Sequence, residues 1–353
     1  MLIKDEVINL SKLIKNNDLD QAFQLLDKMI EFKSTYPNCC SNCAGHGFKG
    51  STGCKKDSYQ SWNTRLNDFK GFLISHASTQ SDCKMQPGNI KSWAVRLNDF
   101  KTFLNDFKKG SIDASYKLPF SVFKSGNGKH KFMNYSTIPI VNCPGAGSCA
   151  SDKFCYSLKS LMRPNAALSW LQNQILEDNY FNIIELEFKK HLNKNYKKHL
   201  KNNLNIDFRL YNDGDFSSLN NMVLWFNLLK KYPQIKAYGY TKSLHLVKEL
   251  SLMDYEFPAN YKFNISSGSK YEYLKNDKVI KNNPSYRGNF ISFDLNGFRV
   301  NTTKRTKEHD KTLRNAFKKK IFICPGTCNT CTSIGHACGS DKFDNIDIVI
   351  PIH

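Results

Sequence analysis

The stretch DFRLYNDGDF at residues 207–216 decides the fold, together with IKAYGYTKS at residues 235–243. Each stretch starts as a short run of apolar and aromatic residues, which is typical of a buried strand, and ends in glycine or polar residues. Helical periodicity follows each of them, over 217–231 and over 243–252. Strands that alternate with helices predict a parallel sheet joined by right-handed crossovers.

The same alternation extends over residues 118–353. Strands are predicted for TIPIV at 137–141, DFRLY at 207–211, IKAYGY at 235–240, YKFNI at 261–265, NFISF at 289–293 and DIVIP at 347–351, and helix is predicted near 165–202. The expected α/β domain is a complete or partial (β/α) barrel or an open parallel sheet, with a cysteine-rich loop after its first strand. Either architecture puts the active site at the carboxyl ends of the strands.

Residues 1–110 have a different texture, and a small helical, cysteine-containing domain is predicted for them. Two amphipathic helices are expected within residues 2–33. The segment SWNTRLNDFKGFL at 61–73 returns as SWAVRLNDFKTFL at 92–104, which indicates a duplicated helix. The segment KKGSIDASYK at 108–117 is predicted to link this region to the α/β domain.

The chain is strongly basic, with 51 lysine and arginine residues against 31 aspartate and glutamate residues and a net charge of +20. This field favours nucleic acid as a partner, with the lysine-rich segments 188–203 and 304–320 as candidate phosphate-binding surfaces. The alternative is that an AT-rich genome enriches lysine and asparagine without selection for binding. No apolar run has the length of a signal peptide or a membrane span, so a cytoplasmic protein with no membrane partner is expected. The oligomeric state is left open.

Twelve cysteines lie in this chain, and several of them cluster in loops rich in glycine and proline. Cytosolic thiols stay reduced, so close spacing points to metal rather than to disulfides. Cys143, Cys149 and Cys155 share the loop after the first predicted strand, and three thiolates favour a cluster with one open iron over a four-ligand zinc site. Near the C-terminus, four thiolates suffice for one iron-sulfur cluster or one zinc ion: Cys324, Cys328, Cys331 and Cys338.

A smaller cysteine group lies in the N-terminal region. Cys40 and Cys43 are separated by two residues, as in half of a zinc site. Zinc binding and free thiols are both open for this pair, since no second pair of closely spaced cysteines completes the site.

Polar residues follow three successive predicted strands. The carboxyl ends of parallel strands meet at one edge of a sheet, so a shared pocket is expected there. The alternative for YNDGDF is an ordinary turn in which Asp215 or Ser217 caps the next helix. The expected pocket residues are Asp213, Gly214, Asp215, Thr241, Lys242, Asn264, Ser266 and Ser267.

The run from LPFSVFKSGNGK through CPGAGSC, CYSLKS, RLYNDGDFSS and YGYTKS to CPGTCNTC resembles the gene product 88 domain of phages and plasmids. The resemblance covers roughly residues 118–350. It implies a phage or plasmid context, and hence the cytoplasm of a host cell, and it implies no particular activity.

A wider resemblance is to the radical S-adenosylmethionine superfamily. It implies a 4Fe-4S cluster on Cys143, Cys149 and Cys155, which chelates S-adenosylmethionine and breaks its carbon–sulfur bond by one-electron transfer. Gly214 and Asp215 would bind the amino group of the cofactor, and the four C-terminal cysteines would hold an auxiliary cluster. The residues expected to bind the cofactor are Tyr156, Asp213, Gly214, Asp215, Asn264 and Ser266, and the catalytic candidates are Asp215 and Lys242.

Three classes of function follow. The first is a radical enzyme that modifies nucleic acid or nucleotides and carries one or two 4Fe-4S clusters. The second is a non-catalytic nucleic-acid-binding protein with a structural iron-sulfur or zinc site. The third is an interaction module built on zinc.

Overall fold

The computed structural model describes residues 3–35, 93–126, 132–151, 155–161, 163–294, 306–317, 320–326, 331 and 337–352. Two compact units make up the chain. The first comprises residues 1–120 and 158–172, and the second comprises residues 121–157 and 173–353. The domain boundary expected at residues 110–118 stays a prediction.

The first unit begins with two helices, α1 from Ile3 to Lys15 and α2 from Leu19 to Thr35, which confirms the expected helical pair. The second copy of the duplicated segment forms α3 from Trp93 to Lys108, and the first copy at 61–73 lies outside the described residues. Helices α1 and α3 both contact α2. Their apolar stripes meet in a buried cluster that includes Val7, Leu10, Leu26, Met29, Leu97, Phe100 and Phe103.

In the described residues, the second unit is built on a parallel sheet of seven strands in the order β1-β2-β3-β4-β5-β7-β6. The strands are β1 Met133–Asn134, β2 Ile206–Arg209, β3 Ile235–Thr241, β4 Tyr261–Ser266, β5 Tyr286–Phe293, β6 Ile321–Ile323 and β7 Asp347–Pro351. Every neighbouring pair is parallel, which confirms the α/β class and the parallel sheet.

The strand predicted at 137–141 is wrong. The chain leaves the sheet after β1 and closes two tight turns, in which the N–H of Asn142 donates to Ile138 O at 3.2 Å and that of Cys143 donates to Ile140 O at 3.3 Å. Pro139 has no N–H to give to a strand ladder, which weakens any strand through it. Of the run that suggested a strand, Thr137, Ile138 and Pro139 are buried in these turns, and Ile140 and Val141 are half-buried.

The helices are α4 Ser148–Ser151, α5 Ser157–Ser160, α6 Pro164–Asn179, α7 Phe181–Asn195, α8 Lys197–Lys201, α9 Leu219–Lys230, α10 Leu244–Leu252, α11 Lys278–Lys281 and α12 Lys307–Ala316. The helical stretch predicted near 165–202 forms the three helices α6, α7 and α8. The N-cap of α9 is Ser218, whose hydroxyl accepts the N–H of Asn221 at 3.2 Å. Capping by Asp215 or Ser217, the alternative for the YNDGDF turn, is therefore wrong.

The helices before and after β2 pack on the same face of the sheet. The ring of Phe208 in β2 lies 5.6 Å from that of Phe188 in α7 and 6.0 Å from that of Trp225 in α9. Strands β1 to β5 lie side by side in chain order, and right-handed crossovers between such neighbours place their helices on one face. The opposite face of the sheet is therefore not covered by these crossover helices.

That other face carries Tyr238 and Tyr240 of β3 and Phe290 of β5. The rings of Tyr240 and Phe290 are 4.6 Å apart. Residues that follow β6 cover this face in one apolar cluster, which contains Phe132, Tyr238, Cys331, Ala337, Cys338 and Ile348.

No helix in the described part of the chain combines the length and the apolar content that a membrane crossing requires.

Candidate metal and cofactor site

The carboxylate of Asp215 joins the loops that follow β2 and β3. Its Oδ2 accepts the N–H of Lys242 at 2.7 Å, and both the N–H and the hydroxyl of Ser243 at 3.1 Å. The hydroxyl of Thr241 donates to the same oxygen at 3.3 Å, and the N–H of Phe216 donates to Oδ1 at 2.8 Å. Burial raises the pKa of Asp215, and the backbone N–H groups of Lys242 and Phe216 oppose that rise. This carboxylate therefore holds the edge of the sheet together.

Gly214 is required where it stands, because its φ of 84° lies in the left-handed region. A Cβ at this position would also be 2.1 Å from Oγ1 of Thr137. The N–H of Thr137 donates to Asp213 O at 3.0 Å, so the turn after β2 is in direct backbone contact with the segment that follows β1.

Asp213 belongs to the same turn but has different partners. Its Oδ2 accepts the hydroxyl of Ser136 at 3.2 Å and the side-chain amide of Asn212 at 2.7 Å. Burial raises the pKa of Asp213, while hydrogen bonding from Ser157 and Asn212 opposes the rise. Its role is again to fix the backbone at the end of β2.

The loop of Cys143, Cys149 and Cys155 docks on the loops after β3 and β4 through glycine backbone. A Cβ on Gly145 would lie 1.9 Å from Lys242 O, and one on Gly147 would lie 2.5 Å from the backbone N of Lys270. The N–H of Lys270 donates to Gly145 O at 3.0 Å, and that of Gly147 donates to Gly268 O at 2.9 Å. The small residues of this loop thus allow it to lie directly on the carboxyl edge.

The thiols of this loop share one electrostatic environment. Burial raises the pKa of Cys143, and the charge of Asp215 raises it further, whereas the charge of Lys242 lowers it. Burial likewise raises the pKa of Cys155; Cys149 adds to the rise and Lys242 again opposes it. Buried thiols that disfavour one another's ionisation would become thiolates beside a bound cation, which makes Cys143 and Cys155 candidate metal ligands.

Two cationic side chains lie near this edge. The ammonium of Lys242 donates to the hydroxyl of Ser266 at 2.7 Å. The guanidinium carbon of Arg209 lies 4.7 Å from the ring centroid of Tyr240, and its Nη2 donates to the hydroxyl of Tyr156 at 3.2 Å. Tyr156 is 44% exposed as a residue, but its hydroxyl is enclosed and donates to Asn212 O, and this burial raises its pKa.

A second group of thiols lies over the face of the sheet that carries Tyr240. The N–H of Gly326 donates to Sγ of Cys324 at 3.4 Å, and the N–H of Ala337 donates to Sγ of Cys331 at 3.2 Å. Burial raises the pKa of Cys338 to about 12; the charges of Cys324 and Cys331 add to that rise, and a hydrogen bond from Tyr240 opposes it. Donors aimed at sulfur stabilise thiolates, as the outer ligands of metal sites do.

Asn264 supports this second group. Its side-chain amide donates to Gly239 O at 3.2 Å and to Cys338 O at 2.9 Å, and its Oδ1 accepts Nε of Arg287. The guanidinium of Arg287 also donates to Phe343 O at 2.8 Å. Asn264 therefore fixes the backbone of a thiol ligand candidate, whereas Ser266 faces Lys242.

The structure thus places most of the predicted pocket residues at the carboxyl edge of the sheet. The catalytic and cofactor-binding roles assigned to these residues stay predictions. Asp215, Lys242, Cys143 and Cys155 lie within electrostatic reach of one another. Cys40, Cys43 and Cys328 lie outside the described residues. Within the described ranges, no group of three or more His, Cys, Asp or Glu side chains is arranged as a ready-made site for a metal ion.

Sequence reasoning missed Arg209, Ser243 and Tyr240. The available signal for Arg209 was a charged residue flanked on both sides by the apolar Phe208 and Leu210 within the predicted strand DFRLY. Ser243 and Tyr240 gave no comparable signal, since their importance depends on partners from other strands.

The comparisons with known proteins give one match. The family model described as gene product 88 matches residues 108–290. No curated protein matches the chain, and no solved structure does.

Proposed function

This chain belongs to the gene product 88 family, and we propose that it is an iron-sulfur protein acting as a radical S-adenosylmethionine-like enzyme. The observation that carries the proposal is the position of the loop of Cys143, Cys149 and Cys155, which lies directly on the carboxyl edge of the sheet through the backbone contacts of Gly145 with Lys242 and Lys270. In parallel α/β proteins this edge is where catalytic sites are found.

The architecture around the thiols supports this proposal. Strands β1 to β5 follow chain order, as in the partial barrel that the resemblance implies, and Phe208 shows that helices on both sides of β2 pack on one face. The loop of Cys143, Cys149 and Cys155, here called the thiol loop, follows β1. The turn with Gly214 and Asp215 follows β2. These are the positions that the superfamily resemblance assigns to cluster and cofactor.

A 4Fe-4S cluster with one iron that lacks a cysteine ligand would, when bound, supply one electron to the carbon–sulfur bond of S-adenosylmethionine. The chain's own residues have distinct tasks in the proposal. Asp215 is a positioning residue, because its oxygens are occupied by donors of the protein. Lys242 is the counter-ion, since an anionic group could replace Ser266 as the acceptor of its ammonium.

The C-terminal thiols form a second centre in this proposal. Cys324, Cys331 and Cys338 have their own donors in Gly326, Ala337 and Tyr240. They lie in an apolar cluster and near the side chain of Arg287, whose charge lowers the pKa of Cys338. Such enclosure suits a fully ligated cluster or zinc ion that stabilises the fold.

A second candidate function is a non-catalytic nucleic-acid-binding protein with a structural metal site. One observation favours it. Helices α7 and α8 expose a surface, here called the lysine face, made of Lys189, Lys190, Lys194, Lys197, Lys198 and Lys201. This function requires metal but no cofactor at the thiol loop.

The test is the iron, sulfide and zinc content of anaerobically purified variants. Cys143→Ser and Cys155→Ser are expected to lose one cluster, and Cys331→Ser is expected to lose the metal of the other centre, because each removes a ligand. Cys83→Ser, at a cysteine isolated in the sequence, is the matched control and should keep all metal. Unchanged iron and sulfide in Cys143→Ser and Cys155→Ser would contradict the proposal.

A further inference from the structure

Three aromatic rings and a lysine lie together on the loops that follow β3 and β4. The rings of His245 and Tyr271 are stacked with centroids 4.1 Å apart and an interplanar angle of 28°. Tyr273 lies 6.3 Å from Tyr271, and 77% of its surface is exposed. The ammonium of Lys270 lies 5.1 Å from the centroid of Tyr271. These four residues are called the stacking surface below.

The stacking surface adjoins the loop of Cys143, Cys149 and Cys155. The backbone of Lys270 donates to Gly145 O at 3.0 Å, and Ala146 forms an antiparallel bridge with Ser269. The N–H of Cys149 also donates to Gly268 O at 3.5 Å. The segment that carries Lys270, Tyr271 and Tyr273 is therefore in direct backbone contact with the loop that carries the thiols.

The cation of this surface is Lys270, and the carboxylates near it are the exposed Glu272 and Glu249, so the excess of positive charge that attracts an anion is that of the chain as a whole. The only carboxylate of its short helical turn, Glu272, accepts the N–H of Gly268 at 2.9 Å. Burial and the charge of Lys270 lower the pKa of His245, so its ring is a neutral stacking partner at pH 7. Lys270 is exposed, and the whole chain carries a net charge of +20.

We propose that the stacking surface binds single-stranded nucleic acid, with an unpaired base on the ring of Tyr273, and that it presents this substrate to the thiol loop. The inference rests on the proposed function for the chemistry that follows binding. An exposed ring such as that of Tyr273 can stack on a base, and a cation such as Lys270 can pair with a phosphate, which are features that single-stranded DNA and RNA share. In a duplex the bases are stacked on one another, so no unpaired base is available to stack on the ring of Tyr273.

The lysine face is the competing surface, and it lies at the other end of the sheet. Helix α8 ends at Lys201, and β2 starts at Ile206, so the lysine face adjoins the amino edge. The thiol loop adjoins the carboxyl edge. Phosphate contacts on the lysine face would hold nucleic acid without bringing a base to the thiols.

The test is fluorescence anisotropy of labelled oligothymidylate and oligouridylate, roughly 15 nucleotides long, and of a duplex of equal length. Tyr273→Ala is expected to weaken binding of both single strands by roughly 5- to 150-fold, because a base loses its stacking partner. Tyr273→Phe should restore binding, since the ring suffices. Leu252→Ala, at a residue 62% exposed at the end of α10, is the matched control and should bind like the wild type.

Several outcomes would overturn the inference. They are equal binding by Tyr273→Ala and Leu252→Ala, a preference for the duplex, or loss of binding only when Lys194, Lys197 and Lys198 become glutamine. Failure of every oligonucleotide to bind would point to a protein partner instead. Iron and sulfide are measured in the same samples. Binding of single strands that depends on Tyr273, in a protein that contains no cluster, would contradict the proposed function and would still support nucleic-acid binding by the stacking surface.

Discussion

Gly214 is the residue at which conformation and packing constrain the site most tightly. Its φ of 84° is unfavourable for any residue with a Cβ, and Thr137 leaves no space for one. In the turn that it forms, the carboxylate of Asp213 bonds to Ser136 and that of Asp215 bonds to Lys242 and Ser243. The sequence shows a glycine between two aspartates, but it does not show that the chain leaving β1 presses on this glycine.

Replacing Gly214 by alanine is expected to lower the free energy of unfolding by about 2–4 kcal/mol, as the sum of left-handed strain and overpacking. Gly110→Ala is the matched control, because Gly110 has a φ of 67° with no atom within 4 Å of an added Cβ. It should cost only about 1–2 kcal/mol. Denaturant unfolding measures both, and equal losses would contradict the packing argument.

Asp215 illustrates what the sequence can and cannot reveal about a single residue. Its place after an apolar strand indicated that it lies at the carboxyl edge, and it does. Its donors Thr241, Lys242 and Ser243 come from the last residue of β3 and the loop that follows it. Only the pairing of β2 with β3 brings them together, so the positioning role could not be read from spacing along the chain.

At the scale of elements, long strands flanked by helices were predictable and short edge strands were not. The β-branched and aromatic runs of β2, β3, β4, β5 and β7 gave the expected pattern, and each prediction is confirmed. β1 has two residues and β6 has three, which is too short for any periodicity. The apolar run at 137–141 instead reflects burial in turns, and periodicity alone does not separate these cases.

Glu177 links three elements beneath the site. Its Oε1 accepts the indole N–H of Trp225 in α9 at 2.7 Å and the hydroxyl of Tyr211, which follows β2. Burial raises the pKa of Glu177 to about 8, and these hydrogen bonds oppose a larger rise. The folded protein therefore prefers the protonated carboxyl at neutral pH.

The pH dependence of stability follows from this shift. Because the folded pKa is above the ordinary value of 4.5, the contribution of Glu177 is fully present below pH 4.5 and is lost as the pH rises through about 8. The wild type should lose about 2–5 kcal/mol relative to Glu177→Gln over that range. Urea unfolding across the pH series measures the difference, and parallel curves for the two proteins would contradict a buried neutral carboxyl.

At the scale of the whole molecule, the two edges of the sheet differ in chemistry. The amino edge adjoins the lysine face of α7 and α8, and the carboxyl edge adjoins the thiol loop, Lys242 and the stacking surface. Composition alone gave the excess of positive charge. Composition could not show which edge of the sheet carries the lysines, because the crossovers set the direction of each helix relative to the sheet.

We propose that the loop of Cys143, Cys149 and Cys155 holds a 4Fe-4S cluster with one iron open to S-adenosylmethionine. The most direct test is electron paramagnetic resonance of the anaerobically purified, reduced protein, recorded with and without S-adenosylmethionine. We predict a 4Fe-4S signal that changes when S-adenosylmethionine is added, and that no longer changes in Cys143→Ser. A signal that S-adenosylmethionine leaves unaltered, or a protein with zinc alone, would contradict the claim and favour the structural metal site of a nucleic-acid-binding protein.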